Sequence, residues 1–487
     1  MIAYLNELLW GRLLLFTLLP VGLLVTVWTR GVQFRHFGRM FAVLRQGFQH
    51  KTDQPSSFQA LALSVAGRVG AGNIAGVAVA LTLGGPGAIF WMWVVGLFGM
   101  ATSFLECTLA QLFKQREPDG AFRGGPAYYI SKGLRPRLGR AAMPLAALYS
   151  LLLLVTFGVA FIMLQSFAMT TSVEGAFAVP KIASGVVLAG LIGLVIFGGV
   201  RRITAVVEVI VPVMAVGYVL VVATVLIVRA PDVPGALATI VSSAFGFGPV
   251  VGGGMGAAIL QGVRRGLFSN EAGLGSAPNV AAVAYVAHPA QQGLVQSLSV
   301  FIDTIVLCTC TALIILLSSI DPATSTNDGV VMTQVALAEH VGDWAESFVA
   351  VALFLFVVSS IMYSYYLGET AIDFFLQDNQ TAFSTYRLVV IGMVLVGSTV
   401  DLAAAFGFAD VTMGVLALVN LFALVLLLPV GVRVMRDFDR QVKNGRAPAF
   451  DVHAFADLDL DPSAWTLRPE DAANLETGKT PPQAGQS

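Results

Sequence analysis

The chain has 487 residues, of which 56% are hydrophobic and 12% are charged, and its mean hydropathy is +0.79. This balance excludes an ordinary soluble domain and indicates a protein with many membrane-spanning segments. Lys and Arg total 28 and Asp and Glu total 29, so the formal net charge is -1, and overall charge suggests neither a nucleic-acid partner nor an acidic substrate.

Apolar runs long enough to cross a bilayer recur along the chain. About 20 apolar residues span the hydrocarbon core, where only helices or closed barrels satisfy the backbone, so we interpret these runs as helices. They predict an all-α polytopic membrane protein with about eleven transmembrane helices, near residues 8–29, 57–83, 87–113, 145–170, 182–200, 204–229, 250–284, 293–319, 345–368, 386–401 and 406–432. The seventh run is long enough to be broken or to include a surface helix.

Basic residues fall in alternate loops. The loops after the first, third, fifth and last runs carry Lys and Arg, whereas residues 230–263 and 318–346 contain neither. Because Lys and Arg accumulate on the cytoplasmic side, this pattern predicts a cell-membrane protein with its N-terminus outside and its C-terminus in the cytoplasm. From about Ala447 the composition shifts to Asp, Glu, Pro, Gly and Gln, so we expect a largely disordered cytoplasmic tail.

The second apolar run is interrupted by the stretch "AGRVGAGN", Ala66 to Asn73. Glycine in a helix interior costs about 1 kcal/mol relative to alanine, and in lipid an unwound backbone is tolerated only against protein or a polar cavity. At such a break, the free N–H groups of one half-helix suit a carboxylate, and the free carbonyls of the other half suit a small hard cation. Alternatively, Gly70 and Gly72 only allow close helix packing.

A second interruption lies five spans further along the chain. Glycines at 246, 248, 252, 253, 254 and 256 open the seventh run, and "SNEAGLGSAPN" closes it. This separation is what an inverted repeat of five helices produces when the first helix of each repeat is broken near the membrane midplane. The two halves show no clear similarity residue by residue.

Four blocks in this order carry a resemblance to a known family. They are "RVGAGNIAGVA" around the first break, "GGPGAIFWMWVVGLFGMATSFLE" from Gly84 to Glu106, "GGPAYYISKGL" from Gly124 to Leu134, and "GVRRGLFSNEAGLGSAPN" from Gly262 to Asn279. Together they are similar to the alanine or glycine:cation symporters, sodium-coupled amino-acid importers of bacteria and archaea, over roughly residues 57–430. The chain departs from the family pattern at two positions. At Gly96 we expect Ser, Thr, Ala or Val, and at Ala71 the family often has Thr.

The resemblance implies a fold like that of the leucine transporter superfamily, with ten core helices in two inverted repeats of five and one extra helix in front. The chain then divides into an extra helix and basic loop (1–56), a first repeat (57–230), a second repeat (231–432) and the tail (433–487). The break motif of that superfamily, Gly-Asn-Ala-Val-Gly-Leu-Gly-Asn, aligns without gaps onto Ala66 to Asn73. The alignment implies a substrate site at Gly70, Ala71, Gly72 and Asn73, with carboxylate-binding N–H groups at Ala71 and Gly72, and sodium ligands at the carbonyls of Ala66 and Val69.

Polar residues in other spans complete the implied site. Ser359 and Ser360 match a Ser or Thr pair of the family's ninth span and are implied sodium ligands, although membrane serines more often bond a neighbouring carbonyl. Gln165 is implied at the substrate pocket, where the alternative is a hydrogen bond between helices. Ser364 is expected at the side-chain end of the pocket.

Ionisable residues within or at the ends of spans usually pair or line a pathway. This group comprises Arg68, Glu106, Glu208, Asp303, Glu369 and Asp401. Arg68 is the most informative, because a guanidinium buried in the membrane should neutralise a carboxylate or compete with a cation. The sequence does not identify its partner.

These observations predict sodium-coupled import of a small neutral amino acid, alanine or glycine, by alternating access. A sodium- or proton-coupled transporter of glutamine or another neutral amino acid is the alternative, and an ion channel or a membrane enzyme is disfavoured. The sequence has no His-Glu-x-x-His, no phosphate loop and no paired Cys motif, so we expect no catalytic residues, no cofactor and no metal other than sodium. Its expected partners are the amino acid, sodium and the bilayer, and its oligomeric state is open.

Overall fold

The computed structural model of the chain describes residues 2–49, 55–117, 120–198, 200–246, 254–325, 329–377 and 379–465. The main helices of these ranges, numbered in chain order, are α1 (Tyr4–Trp28), α2 (Phe37–Gln49), α3 (Ser57–Arg68), α4 (Gly72–Gly84), α5 (Gly87–Leu112), α6 (Arg135–Phe177), α7 (Lys181–Ile196), α8 (Val200–Val228), α9 (Val233–Ala244), α10 (Gly254–Asn270), α11 (Ser276–Ala281), α12 (Pro289–Leu316), α13 (Gly329–Val341), α14 (Trp344–Leu376), α15 (Gln380–Gly397) and α16 (Leu402–Lys443). Two short strands, β1 (Gln115–Arg116) and β2 (Phe122–Arg123), form an antiparallel pair.

The described helices match nine of the eleven predicted spans directly. Eight are long and apolar enough to cross a membrane, and the pair α3 and α4, bent by 50°, makes nine. Two predicted spans fall outside this count. The run at 182–200 forms α7, which has only 16 residues, and the run at 250–284 is divided between α10 and α11 and begins outside the described residues.

Helix α5 forms the centre of the bundle and packs against α10 on one side and α12 on another. Glycines allow both contacts. A Cβ atom at Gly262 would lie 2.5 Å from the Ala88 carbonyl oxygen, and a Cβ at Gly293 would lie 2.7 Å from the Phe104 carbonyl oxygen. Because small residues let helix backbones approach closely in a membrane, these two glycines allow α10 and α12 to pack closely against α5.

The outer helices carry long apolar side chains on their exposed faces. On α8, Val209 is 65% exposed and Ile227 is 76% exposed, and Val187 and Leu194 of α7 are exposed to a similar degree. Such faces are stable only against lipid, since water would not solvate them. The chain is therefore a multi-pass membrane protein.

The basic loops meet at one end of the bundle. Arg35, which follows α1, forms an ion pair with Asp439 near the end of α16, with 3.0 Å between Nη2 and Oδ2. The backbone N–H of Arg116, after α5, donates to Asp461 Oδ2 at 2.9 Å. The basic segments after the first, third and last predicted spans thus lie on one side of the protein.

The expectation of a disordered segment from Ala447 onward does not hold for residues 447–465. Phe450 donates its backbone N–H to the Ala287 carbonyl oxygen at 2.8 Å, and its ring packs against Phe455 and Trp465 with centroids 5.0 and 4.7 Å away. These three aromatic side chains are buried and provide the apolar surface that the surrounding composition lacks. Residues 466–487 lie outside the described residues.

Lys114 is the cation enclosed by this tail segment. Its Nζ donates to the Ala284 carbonyl oxygen at 3.3 Å and lies 4.1 Å from the ring centroid of Phe122 and 4.4 Å from that of Trp465. Burial lowers the pKa of the Lys114 ammonium from 10.5 to about 7. The cause is desolvation, because burial disfavours the charged form of an ammonium group.

This pKa predicts how stability changes with pH. Between about pH 7 and pH 10 the unfolded chain holds the Lys114 proton and the folded chain releases it, so the free energy of unfolding rises with pH. The slope from this single group is at most about 1.4 kcal/mol per pH unit. We expect thermal melting over this range to show a smaller pH dependence in Lys114→Met than in the wild type. Equal dependence in the two proteins would contradict the assignment.

Candidate substrate and cation site

The first interruption is a true helix break. Helix α3 ends at Arg68, Val69 adopts an extended conformation with φ -81° and ψ 107°, and α4 begins with a π-helical turn at Gly72. The side chain of Asn73 folds back to accept a hydrogen bond from the Gly70 N–H at 3.0 Å. This local cap replaces one of the hydrogen bonds that the break removes, which explains an asparagine directly after two glycines.

The N–H of Ala71 points away from both half-helices. It donates to Gln165 Oε1 on α6 at 3.1 Å, so two of the predicted substrate-site residues meet. A backbone N–H at the start of a half-helix, with a flexible amide side chain as its acceptor, is a suitable position for a carboxylate. Both groups are buried.

The glycines of the break allow other groups to approach its backbone closely. A Cβ at Gly70 would lie 2.8 Å from Ser360 Oγ and 2.9 Å from Gln165 Nε2. At Gly72 a Cβ would lie 3.1 Å from the ring of Phe268. Close packing is therefore part of their role, but at Gly70 the packed groups are the polar side chains predicted for the site.

The carbonyl oxygens at the end of α3 converge on α14. Ser360 Oγ lies 2.7 Å from the Ala66 oxygen and 3.3 Å from the Val69 oxygen, and donates to them. Carbonyl and hydroxyl oxygens are the ligands that a hard cation such as sodium prefers. Three of the four predicted sodium ligands thus lie together.

The other two serines are placed differently. Ser359 Oγ donates to the Phe356 carbonyl oxygen of its own helix at 2.9 Å, the arrangement common for serines in membrane helices. Ser364 is buried one helical turn after Ser360. The structure brings Ser360 to the break and leaves Ser359 bonded within α14.

Asp303, expected from the sequence only to pair or to line a pathway, is a component of this region. Its Oδ1 accepts from Asn73 Nδ2 at 2.7 Å, and its Oδ2 accepts from Ser269 Oγ at 2.6 Å and from Thr304 Oγ1 at 2.9 Å. The carboxylate is buried in the π-helical turn Phe301–Leu307 of α12. Its sequence signal was an acidic residue inside an apolar span, but its partner Asn73 lies 230 residues away.

Arg68 is buried as expected, but its direct partners are neutral. It donates to the Gln296 carbonyl oxygen at 3.3 Å, to Ser103 Oγ at 3.2 Å and to Ser299 Oγ. Within the described residues no carboxylate oxygen lies within 4 Å of its guanidinium. The guanidinium therefore forms no direct ion pair with a described carboxylate, and hydroxyl and carbonyl dipoles solvate its charge.

The second interruption, between α10 and α11, is bridged to the first by Tyr363. Its ring packs against Gly67, where a Cβ would lie 2.2 Å from Cε1, and its hydroxyl donates to Glu271 Oε2 at 3.0 Å. Glu271 has φ +54° and also accepts from Ser276 Oγ at 2.6 Å. The Glu271 carboxylate therefore stabilises the non-helical backbone between α10 and α11.

Residues 1–452 match the sodium:alanine symporter family. The chain belongs to this family. It is 46% identical to the amino-acid carrier protein AlsT of Bacillus subtilis, over 91% of this chain and 93% of that protein, and 44% identical to the probable sodium/glutamine symporter GlnT of the same organism, over 91% of each. It is 34% identical to the sodium/proton-dependent alanine carrier protein of Bacillus sp. PS3, over 82% of this chain and 92% of the carrier.

Among solved structures, the fold resembles that of the Eremococcus coleocola manganese transporter, with a TM-score of 0.50 and 14% identity over 78% of each chain. This likeness concerns the fold alone. Membership of the symporter family confirms the prediction of cation-coupled amino-acid symport.

An ion pair behind the break was not predicted for this symporter. Arg265 of α10 pairs with Asp410 of α16, and each is only 2% exposed. The guanidinium carbon lies 5.7 Å from the ring centroid of Phe268 and 4.9 Å from that of Phe406. Because Phe268 also contacts Gly72, the pair supports the aromatic side chain that covers the break.

Proposed function

We propose that this protein is a sodium-coupled secondary active symporter that imports a small neutral amino acid, alanine or glycine, by alternating access. The observation that carries the proposal is that an N–H donor and a set of oxygen ligands meet at one break: the Ala71 N–H on one side, and the oxygens of Ala66, Val69 and Ser360 on the other. A carboxylate binds at the Ala71 N–H by taking the place of Gln165 Oε1. Gln165 then turns its amide to the substrate.

Sodium binds between the carbonyl oxygens of α3 and the hydroxyl groups of α14. Ser360 already spans these carbonyls, and Ser359 joins the ligand set by releasing the Phe356 oxygen. Gly70, Gly72 and Asn73 keep this backbone unwound, and Ser364 borders the substrate side chain. The amino acid and the cation thus occupy opposite sides of the same break, which is a physical basis for coupling their binding.

The aromatic surroundings favour a small side chain. Phe161 and Phe268 have ring centroids 5.1 Å apart, and Phe268 and Phe406 are 5.6 Å apart. Of these three rings, that of Phe268 fills the space next to Gly72. Alanine or glycine therefore fits with less rearrangement than glutamine.

We also propose the leucine transporter-like arrangement for this chain. Adding α7 and the broken pair α10 and α11 to the nine candidate spans gives eleven. On this assignment α1 is the extra helix, residues 57–230 are the first repeat and residues 231–432 are the second. The two breaks then occupy matching places. The shared end of the basic loops is cytoplasmic by the distribution of Lys and Arg, which puts the N-terminus outside.

The coupling site is tested by two neighbouring serines. Ser360→Ala removes the hydroxyl that reaches both α3 carbonyls, so we expect the sodium concentration for half-maximal uptake to rise about tenfold, the equivalent of a lost polar contact of about 1 to 2 kcal/mol. Ser359→Ala, on the same helix, should have a smaller effect, because the Ser359 hydroxyl has to release the Phe356 oxygen before it can bind sodium. Unchanged sodium dependence in both variants would place the site elsewhere.

Counterflow in proteoliposomes tests the function as a whole. Labelled alanine, glycine and glutamine are offered to purified protein with and without a sodium gradient. We expect sodium-dependent exchange of alanine or glycine, and weak exchange of alaninamide, because a site that leaves its N–H donors unpaired rejects a ligand without the carboxylate. Equal exchange of alanine and its amide would overturn the carboxylate assignment.

Proton coupling is the second candidate, because of Asp303. This buried carboxylate contacts Asn73 of the break, and one relative is named a sodium/proton-dependent alanine carrier. Alanine exchange driven by a pH gradient without sodium would favour proton coupling.

Glutamine transport, suggested by the relative GlnT, is tested in the same counterflow experiment. Conduction without saturation would indicate a channel, and turnover of the amino acid would indicate an enzyme.

A further inference from the structure

A cavity at the basic end of the bundle has the chemistry of an anion site. It has a volume of about 470 Å³ and lies between the start of α2, the start of α12 and the end of α16. Its polar wall is formed by Arg35, His36, Arg39 and Gln291. Its apolar wall includes Val43 and Phe438. None of these residues belongs to the break.

The cavity has uncompensated positive charge. Arg35 and His36 both contact one carboxylate, Asp439, at 3.0 and 2.7 Å. Among the described acidic residues, none lies within ion-pair distance of Arg39. The Gln291 side chain is oriented, because its Oε1 accepts from the His288 N–H at 3.1 Å, which leaves its NH2 group as a donor. The wall therefore offers a guanidinium and an amide to an acceptor-rich group.

The surroundings place this cavity at the membrane surface. Helix α1 ends at Trp28, which is 48% exposed, and the next outward aromatic side chains are Phe34, 62% exposed, and Phe41, 49% exposed. Aromatic residues at the end of a span are typical of the bilayer interface, and an amphipathic helix such as α2 lies in its plane. Arg39 is therefore at the depth of lipid phosphates, with apolar side chains beside it for the acyl chains.

We infer that this cavity, formed by Arg35, His36, Arg39 and Gln291, binds the phosphate of an anionic phospholipid. Arg39 binds the phosphate oxygens, Gln291 donates from α12, and the start of an acyl chain lies against Val43 in the same cavity wall. A lipid held there links α2, which belongs to the segment before the first repeat, to α12 and α16. The lipid thereby stabilises the assembled bundle.

The test compares the full chain in nanodiscs of phosphatidylcholine with nanodiscs of an equimolar mixture of phosphatidylcholine and phosphatidylglycerol. We expect phosphatidylglycerol to raise the melting temperature of the wild type and of Arg45→Gln. Arg45 is the matched control, because it is an exposed arginine of α2 outside the cavity wall. In Arg39→Gln most of this increase should disappear, since losing one charge-assisted contact weakens binding about tenfold.

Two further measurements keep the inference falsifiable if Arg39→Gln folds poorly. Native mass spectrometry of the wild type should show preferential retention of phosphatidylglycerol over phosphatidylcholine, and Gln291→Leu should reduce it. Inorganic phosphate added to phosphatidylcholine nanodiscs should leave the melting temperature unchanged. Equal retention of the two lipids, equal stabilisation of Arg39→Gln and Arg45→Gln, or stabilisation by phosphate alone would overturn the inference.

Discussion

Gly70→Ala is expected to abolish sodium-coupled amino-acid uptake while the protein still folds. The added Cβ would lie 2.8 Å from Ser360 Oγ and 2.9 Å from Gln165 Nε2. These two side chains face the proposed cation and carboxylate positions, so a single methyl group forces both away from the break. Real Cβ atoms do not tolerate such distances, and in a close-packed interior the neighbours have to move.

The measurement is alanine counterflow with the sodium dependence determined in the same liposomes, on protein that is monodisperse in detergent. Gly76→Ala is the matched control, because it lies in the same π-helical turn as Gly72 and its added Cβ would be 3.7 Å from Phe268, an ordinary contact. We expect the control to retain uptake. Normal uptake and normal sodium dependence in Gly70→Ala would show that Ser360 and Gln165 are not at the transport site.

The break could be predicted because its causes are local in the sequence. Two glycines and Asn73 within four residues weaken a helix wherever they occur, and the structure shows the extended Val69 and the Asn73 cap. The approach of Ser360 and Gln165 followed from the family resemblance, since nothing in the apolar pattern of α6 or α14 specifies which face meets α3. Neither the apolar pattern nor the family resemblance predicts the hydrogen bonds of a single side chain. The hydroxyl of Ser359, for example, donates to a carbonyl oxygen of its own helix.

Contacts between distant segments were not predictable from the sequence. Asn73 and Asp303 are 230 residues apart, and their pairing depends on how α12 packs across α5. Residues 447–465 were expected to be disordered for a related reason, because an acidic, proline-containing composition indicates disorder unless another part of the chain covers the aromatic residues. The aromatic residues of this segment pack near Ala287 and Lys114. The sequence signal for this packing was the presence of Phe450, Phe455 and Trp465 within an otherwise acidic segment.

Of the variants described above, Asp410→Asn is expected to lower the free energy of unfolding the most. Arg265 and Asp410 are each 2% exposed, so removing the carboxylate leaves the buried Arg265 guanidinium without its counter-charge. Arg264 Nη1, which lies 3.8 Å from Asp410 Oδ2, loses the same partner. Breaking a buried pair in this way typically costs about 3 to 5 kcal/mol, whereas replacing both partners is often nearly neutral. We therefore expect a marked fall in melting temperature for Asp410→Asn and a partial recovery in the double variant Asp410→Asn, Arg265→Leu.

The control is Asp457→Asn, because Asp457 forms an ion pair with Arg433 in which both side chains are largely exposed. Exposed pairs contribute little, so its melting temperature should stay close to that of the wild type. Alanine exchange by the double variant distinguishes an effect on stability from an effect on transport. Since Phe268 lies between this pair and Gly72, the double variant should regain stability but exchange alanine more slowly, because Phe268 has lost the cation that fixes its ring. A double variant with no recovery of melting temperature would contradict the energetic argument, and one with wild-type exchange would show that the pair only stabilises the fold.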